Sequence, residues 1–408
     1  MLRLAFRNLR RNMRRSLLTL AAIAFGLAFM AVGGNLQAGQ HDDIQRSAIS
    51  ALAGEIVVDR VGYRDDHEPE LAVPSAEAAR KALADAFPGA TVTSRIALGG
   101  LLTSPTSSVG AALSAVDPVA EAAVQDLRVV DGAWLDPAEP RGIVIGKGMA
   151  ETLGVKLGDK LVFMGQYGTD EVQSRLFRVR GIFRTGSADV DGSRAWANLV
   201  AGQELLVQPD VADQIAVHLP GGADEEEALA KARAVLAGHP GELEILHWRD
   251  ALPEIYAMLS IDRKSNDILM GILGIIVAMG VLNTVLMSVM ERTREFGVLM
   301  AIGMRPRRLA GLVLLEALLL GLAGAVIGLI VGAAMSWPLV TSGLDYTDVV
   351  GETYETAGVR LSGLIKARYA WDRQLQYGLG AVAMTVAAAL YPALQVTRLT
   401  PVAAMRKV

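Results

Sequence analysis

The chain has 408 residues, with 39 lysines and arginines against 43 aspartates and glutamates, no cysteine, and a mean hydropathy of +0.35. That hydropathy is too high for a water-soluble enzyme of this length, and the length exceeds what one compact core usually holds. The absence of cysteine excludes disulfides, thiolate catalysis and cysteine-ligated metal together.

A net charge of -4 is small only because its parts are segregated. Residues 1–15, read as a basic tail, hold Arg3, Arg7, Arg10, Arg11, Arg14 and Arg15 and no acid. The charge-free window 16–34 follows, long enough to cross a hydrocarbon core of about 30 Å as a helix. It reads as an uncleaved anchor: it is longer than the apolar stretch of a secretory leader, and Leu36-Gln37-Ala38 is a poor small-x-small cleavage site. The arginines beside it read more simply as a topology signal than as a nucleic-acid arm or a headgroup patch.

Residues 35–267 read as a mixed α/β domain ending in a stalk. Strand-like segments lie at 53–60, 91–102, 109–116, 142–145, 160–164, 175–183, 214–219 and 244–247. Ser75 is placed to cap a helix that stops at Pro88-Gly89, and a second helix is expected over 223–237. Strand, helix, strand at both ends predicts two related α/β halves with a β-rich insertion between them. From Ala251 the pattern turns helical and runs on toward the second span.

Chemistry is hard to find in this domain. His41, His67, His218, His239 and His247 show no zinc-site spacing. Asp65, Asp66, His67, Glu68 and Glu70 form the densest acidic cluster but lack the glycine turn of a calcium loop, so a solvated loop is the better reading. The run from Gly142 to Gly148 is one residue short of a phosphate loop and has glycine where a magnesium-binding hydroxyl belongs.

Three further spans follow, at 268–290, 309–340 and 374–397, separated by a basic loop 291–308 and an outside loop 341–373 and followed by a basic tail 398–408. With four spans, the three basic segments fall on one side, which the positive-inside rule makes cytoplasmic, leaving the large domain outside. The segment NTVLMSVMERTREFGVLMAIGMRPRRL predicts a helix continuing past Met290 through Phe296 to Ile302, stopped by Gly303, with Pro306 opening the next span. Such a short amphipathic helix suits either a groove on a soluble partner or the headgroup layer.

Within the spans, Gly324, Gly328 and Gly332 make two GxxxG steps that permit close helix approach, to a helix of the same chain or of a dimer mate. Glu316, two turns into the third span, is expected to pair with a basic residue or stay protonated rather than act in coupling or substrate handling. Asn283 and Thr284 are expected to hold helices together.

ERTREFGVLMAIGMRPRRL resembles the signature of FtsX/MacB/LolC-type permeases of ABC transporters. RNLRRNMRRSLLTL, AGEIVV, IGKGMAETLGVKLGD, FRVRGIF and YPALQVTRLTPVAAMR extend the resemblance, in order, over nearly the whole chain. It implies four transmembrane helices, one plus three, with a large α/β MacB-type periplasmic domain between the first two, in a bacterial inner membrane with both termini cytoplasmic. It also implies a non-catalytic subunit working as a homo- or heterodimer with two copies of a separate ATPase that binds ATP and magnesium; nucleic acid is not expected. By the resemblance, Glu291, Arg292, Arg294, Glu295, Phe296 and Leu299 form the surface that contacts the ATPase. Three roles follow: extraction of acylated lipoproteins toward a periplasmic carrier, MacB-like efflux of amphiphiles or peptides, or FtsX-like mechanical activation of a cell-wall hydrolase. The size of the outside domain favours the first two, and the lack of a fused ATPase favours the first.

Overall fold

The computed structural model describes residues 1–11, 13–66, 71–125, 127–167, 171–185, 188–345, 353–356, 359–362 and 364–398. In chain order they form α1 (Leu2–Arg11), α2 (Met13–Leu52), β1 (Ile56–Arg60), α3 (Tyr63–Asp66), β2 (Val73–Pro74), α4 (Ala76–Ala86), β3 (Thr91–Thr103), β4 (Ser108–Val116), α5 (Pro118–Val124) and β5 (Val129–Gly132). Then come β6 (Gly142–Gly146), α6 (Lys147–Leu153), β7 (Lys160–Gln166), β8 (Val172–Phe183), α7 (Ala188–Ser193), β9 (Arg194–Asn198), α8 (Leu199–Leu206), β10 (Val211–Ala212), β11 (Gln214–His218), α9 (Glu225–Leu236), β12 (Leu243–His247) and α10 (Trp248–Ala251). The chain closes with α11 (Pro253–Glu291), α12 (Thr293–Ala301), α13 (Pro306–Thr341), four short strands β13 (Leu344–Asp345), β14 (Thr353–Thr356), β15 (Val359–Ser362) and β16 (Leu364–Ile365), and α14 (Trp371–Thr397).

Two units result. One comprises Met1–Asp42, Leu259–Asp345 and Leu364–Val408, the other Asp43–Met258 and Tyr346–Gly363. α2, α11, α13 and α14 are long and apolar enough to cross a membrane.

The second unit is built on a ten-stranded sheet in the order β12-β1-β11-β3-β4-β9-β6-β8-β5, with β7 pairing β3 and β8. The two strand-helix-strand ends are not separate halves. They interleave: β1 lies antiparallel between β12 and β11, and β11 pairs antiparallel with β3. This is the split βαβ arrangement, in which each pair of strands joined by a helix is parted by a strand from the other pair. α4 and α9 bury Ala79, Leu83, Ala228, Ala232 and Leu236 with Ile56, Val58, Ile215 and Val217. The β-rich middle continues the same sheet over a second core that includes Ile96, Leu113, Ile145, Phe163 and Phe177.

Ser75 sits at the start of α4 in a left-handed conformation and makes no side-chain cap. Asp210 replaces it, accepting the Glu77 amide at 2.9 Å. The phosphate-loop look-alike forms a strand, a tight turn and a helix, but a β-carbon on Gly146 would lie 2.3 Å from the Asp191 carbonyl oxygen, so α7 backbone fills the place of a ligand. In the acidic cluster, residues 67–70 lie outside the described residues.

The last carbonyls of an α-helix have no intrahelical partners. At the end of α2, Arg95 of β3 supplies them: its guanidinium donates to the carbonyls of Ser50 at 2.9 Å, Ala51 at 3.3 Å and Ala53 at 3.4 Å. Its charge is met by Glu121 at 3.0 Å, which is 1% exposed. A second arginine, Arg64, joins the buried Asp59 of β1 to the Ala251 carbonyl that precedes α11.

Burial pushes the Asp59 carboxyl up to about 6, against the opposing pull of Arg64. An unfolded chain holds such a group near about 3.9. The folded state therefore binds this proton more tightly, and the stabilisation is complete below pH ~4 and lost as pH rises to about 6. The expected loss is about 3 kcal/mol over that window. Asp59→Asn should flatten that stretch of the profile, as read by thermal unfolding of the detergent-solubilised chain through tryptophan fluorescence. An unchanged slope would assign the pH dependence to other groups.

Candidate functional site

α11 and α12 are not one helix, as the sequence pattern had suggested; they break at Arg292, which adopts φ -94 and ψ 9. The break has an electrostatic cause. Glu316 of α13 lies among apolar helices, where an unpaired carboxylate is costly. Arg292 leaves the helix path to meet it, donating through Nη1 to both carboxylate oxygens at 3.0 and 3.2 Å. Asn8 of α1 adds a third donor at 2.7 Å. The network continues outward: Arg292 Nε reaches Glu295 at 3.4 Å, Arg11 pairs with Glu295, and Arg15 pairs with Glu291 at 2.6 Å.

Beyond the break, Thr293 donates its hydroxyl back to the carbonyls of Val289 and Met290. Phe296 turns inward to 0% exposure and packs with Val289, Met300, Leu309, Val313 and Val396, while the Arg292 guanidinium covers its ring at 5.2 Å. α12 ends in a Schellman turn: Gly303, at φ +102, donates to the Met300 carbonyl and Met304 to that of Leu299, both at 3.0 Å. Pro306 then occupies the first turn of α13.

The residues expected to form the coupling surface fall on different sides of this segment. Arg292 and Phe296 face inward, and Leu299 is half-buried. Exposed along the segment from the end of α11 to the C-cap of α12 are Glu291, Arg294, Glu295, Val298, Ala301 and Ile302, the last at 79%, with Arg305, Arg307 and Arg308 close by in sequence. Arg294, Val298 and Ile302 are spaced four residues apart, so they form one stripe.

The glycine face of α13 meets α2 of the same chain. A β-carbon on Gly324 would lie 2.6 Å from Ile23, on Gly328 2.8 Å from the Ala24 carbonyl oxygen, and on Gly332 2.7 Å from Ala31. Asn283 is exposed, and Thr284 donates to Gly280 of its own helix at 2.8 Å.

At the far end of the same helices is a polar cluster that hydropathy did not reveal. Asn35 is 0% exposed; it donates to Ser336 at 2.9 Å and accepts from Gln374 at 2.8 Å and the Ala370 amide at 3.0 Å, so α2, α13 and α14 share one residue. Nearby, His41 lies 2.5 Å from Asp262 of α11. The sequence signal was present but weak: Asn35 is the first polar residue after an apolar window, and Asn8 is one of two asparagines in the basic arm. A cavity of 290 Å³ between α2, α11 and α14 is lined by Leu27, Met30, Met270, Gly274, Tyr377 and Met384, among others. The space beside Glu316, at 40 Å³, is too small for cargo. Among the described residues no three His, Asp or Glu side chains converge to hold a metal.

Glu316→Ala should lower stability by about 3 to 5 kcal/mol by stranding Arg292, whereas Arg292→Met with Glu316→Leu should recover most of it. A thermal double-mutant cycle in detergent checks this; additive losses would refute the pairing. Gly328→Val should lower the melting midpoint, and Gly311→Val, where nothing lies within 4 Å of the added carbon, should leave it unchanged.

Residues 16–235, more than half of the chain, match the MacB-like periplasmic core domain, and residues 268–401 match the FtsX-like permease C-terminal family. The chain is 26% identical over 297 residues to the lipoprotein-releasing system transmembrane protein LolC of Xylella fastidiosa, covering 69% of this chain and 68% of that protein. It is 24% identical to LolE of Haemophilus influenzae over 67% of this chain and 66% of that one. Against the macrolide export ATP-binding/permease protein MacB of Nitrobacter winogradskyi, identity is 27% over 82% of this chain but 52% of that protein. With four membrane-spanning helices and a MacB-like domain between the first two, the chain belongs to the FtsX/MacB/LolC-type family of ABC transporter permeases.

Proposed function

We propose that this permease docks a separate ATPase on the exposed face of α12, in the cytoplasm, and uses the resulting helix movement to drive its periplasmic domain. The observation that carries this is the division of α12. Phe296 and Arg292 are spent on holding the helix, which leaves Val298 and Ile302 as an exposed apolar pair in line with Arg294 and followed in sequence by exposed Arg305, Arg307 and Arg308. An apolar centre with a charged rim is the anatomy of a protein interface. The ATPase, present in two copies, would bind ATP and magnesium, and a second permease chain would complete the dimer.

For cargo, we propose extraction of acylated lipoproteins toward a periplasmic carrier. The support is the near-equal coverage of chain and relative for LolC and LolE, together with a methionine-lined cavity among the spans. Methionine suits such a role because its side chain adapts to apolar ligands of varied shape. A MacB-like efflux role is the second reading, favoured by the 82% coverage of this chain in that alignment.

The test is purification from native membranes in mild detergent, with mass spectrometry of what accompanies the chain. An ATPase with a lipoprotein supports release, an ATPase with an adaptor or outer-membrane tunnel supports efflux, and a cell-wall hydrolase supports mechanical signalling. Absence of any ATPase refutes the docking. Val298→Asp with Ile302→Asp should reduce the retained ATPase by about tenfold or more without lowering the thermal midpoint. Phe296→Ala should lower the midpoint itself, with a loss of stability of about 3 to 5 kcal/mol.

A further inference from the structure

α10 is a short helix joining β12 to α11, and one imidazole holds its start. The first amides of any helix need acceptors from outside it. His247 occupies the N-cap, where serine, threonine, aspartate or asparagine usually stands, and its Nδ1 accepts the Arg249 amide at 3.1 Å. An accepting ring nitrogen carries no proton, so the imidazole is neutral with its hydrogen on Nε2, which donates to Glu225 Oε2 at 2.5 Å. The side chain is buried. Among the described residues, the charged groups around it come from each element packed against it: Glu225 opens α9, Glu55 precedes β1, and Arg249 of α10 stands 3.9 Å from Glu225. Glu55 accepts the Leu219 amide at 2.9 Å. Arg249 also covers the rings of Trp248 at 5.8 Å and of Tyr256, near the start of α11, at 6.0 Å. Those two rings meet edge to face at 6.1 Å, so the elbow between β12 and α11 is one packed cluster.

An asparagine or serine cap accepts at any ordinary pH, whereas an imidazole accepts only while its Nδ1 is bare. Protonation makes Nδ1 a donor facing another donor, the Arg249 N–H, so the cap turns into a repulsion. The new cation also competes with Arg249 for Glu225, which weakens the hold of Arg249 on the elbow. We infer that His247 is a proton-sensitive latch on the elbow between β12 and α11, closed while the imidazole is neutral and released when it takes up a proton. α11 runs on into the second span, so the latch acts on the element that joins the sheet to the membrane. The inference is independent of the cargo and of the ATPase.

Amide hydrogen exchange of the full chain in detergent, followed from pH ~7.5 to ~5.5 and corrected for the intrinsic pH dependence of exchange, tests the latch. The reporters are the amides of Arg249 and of Leu252, which donates to the Trp248 carbonyl at 2.8 Å. Acid should speed their exchange by about fivefold, the worth of one cap, while the amides of β3 stay protected. His247→Asn, whose side chain caps without titrating, should remove the pH dependence, and His247→Ala should exchange fast at both ends of the range. Glu225→Gln, which leaves the cap in place but takes away the carboxylate that favours the charged ring, should move the midpoint of the change to lower pH. Flat exchange in the unaltered chain, or the same acid response in His247→Asn, would overturn the latch. Loss of protection in β3 along with the elbow would overturn it too, by showing that acid loosens the whole unit.

Discussion

A carboxylate placed two turns inside an apolar helix has to be answered by a cation, and the geometry around Glu316 follows from that need. Arg292 is the answer, and bringing it inward interrupts the helix that carried it. The interruption re-aims α12, Phe296 closes the bend, and Gly303 ends the segment before α13 begins. The apolar residues left outside are therefore determined by where one buried charge found its partner. An uncompensated carboxylate at that position would cost several kcal/mol, comparable with much of a domain's net stability.

The same economy recurs at other places. Asn35 satisfies two helices and a backbone amide with one side chain, and Arg95 meets both the carbonyls at the end of α2 and the carboxylate of Glu121. Each is a polar group withdrawn from water with its hydrogen bonds supplied, the condition under which buried polar networks rigidify a structure. They lie where helices end or meet, and the stretches between are held by close packing.

Hydropathy made the spans visible and strand alternation made the sheet segments visible, because both depend on local pattern. The merging of the two strand-helix-strand ends into one lobe was not visible, since β1 and β11 pair across more than 150 residues. The surface of α12 was half legible: its amphipathic character was plain, but choosing its inward side required knowing that Arg292 would turn toward Glu316. Ser75 misled for a similar reason, because the true acceptor, Asp210, comes from a distant part of the chain. Asn283 looked like an interhelical bridge by composition alone, and its exposure depends on how the helices are rotated.

The contact between α2 and α13 also limits how these helices can move. Ile23, Leu27 and Ala31 sit in three successive notches cut by Gly324, Gly328 and Gly332. A small axial slide would drive side chains onto the ridges between notches, so intermediate positions are sterically excluded. The seam works like a toothed rack: the two helices travel together, or shift by a full tooth of four residues, about 6 Å.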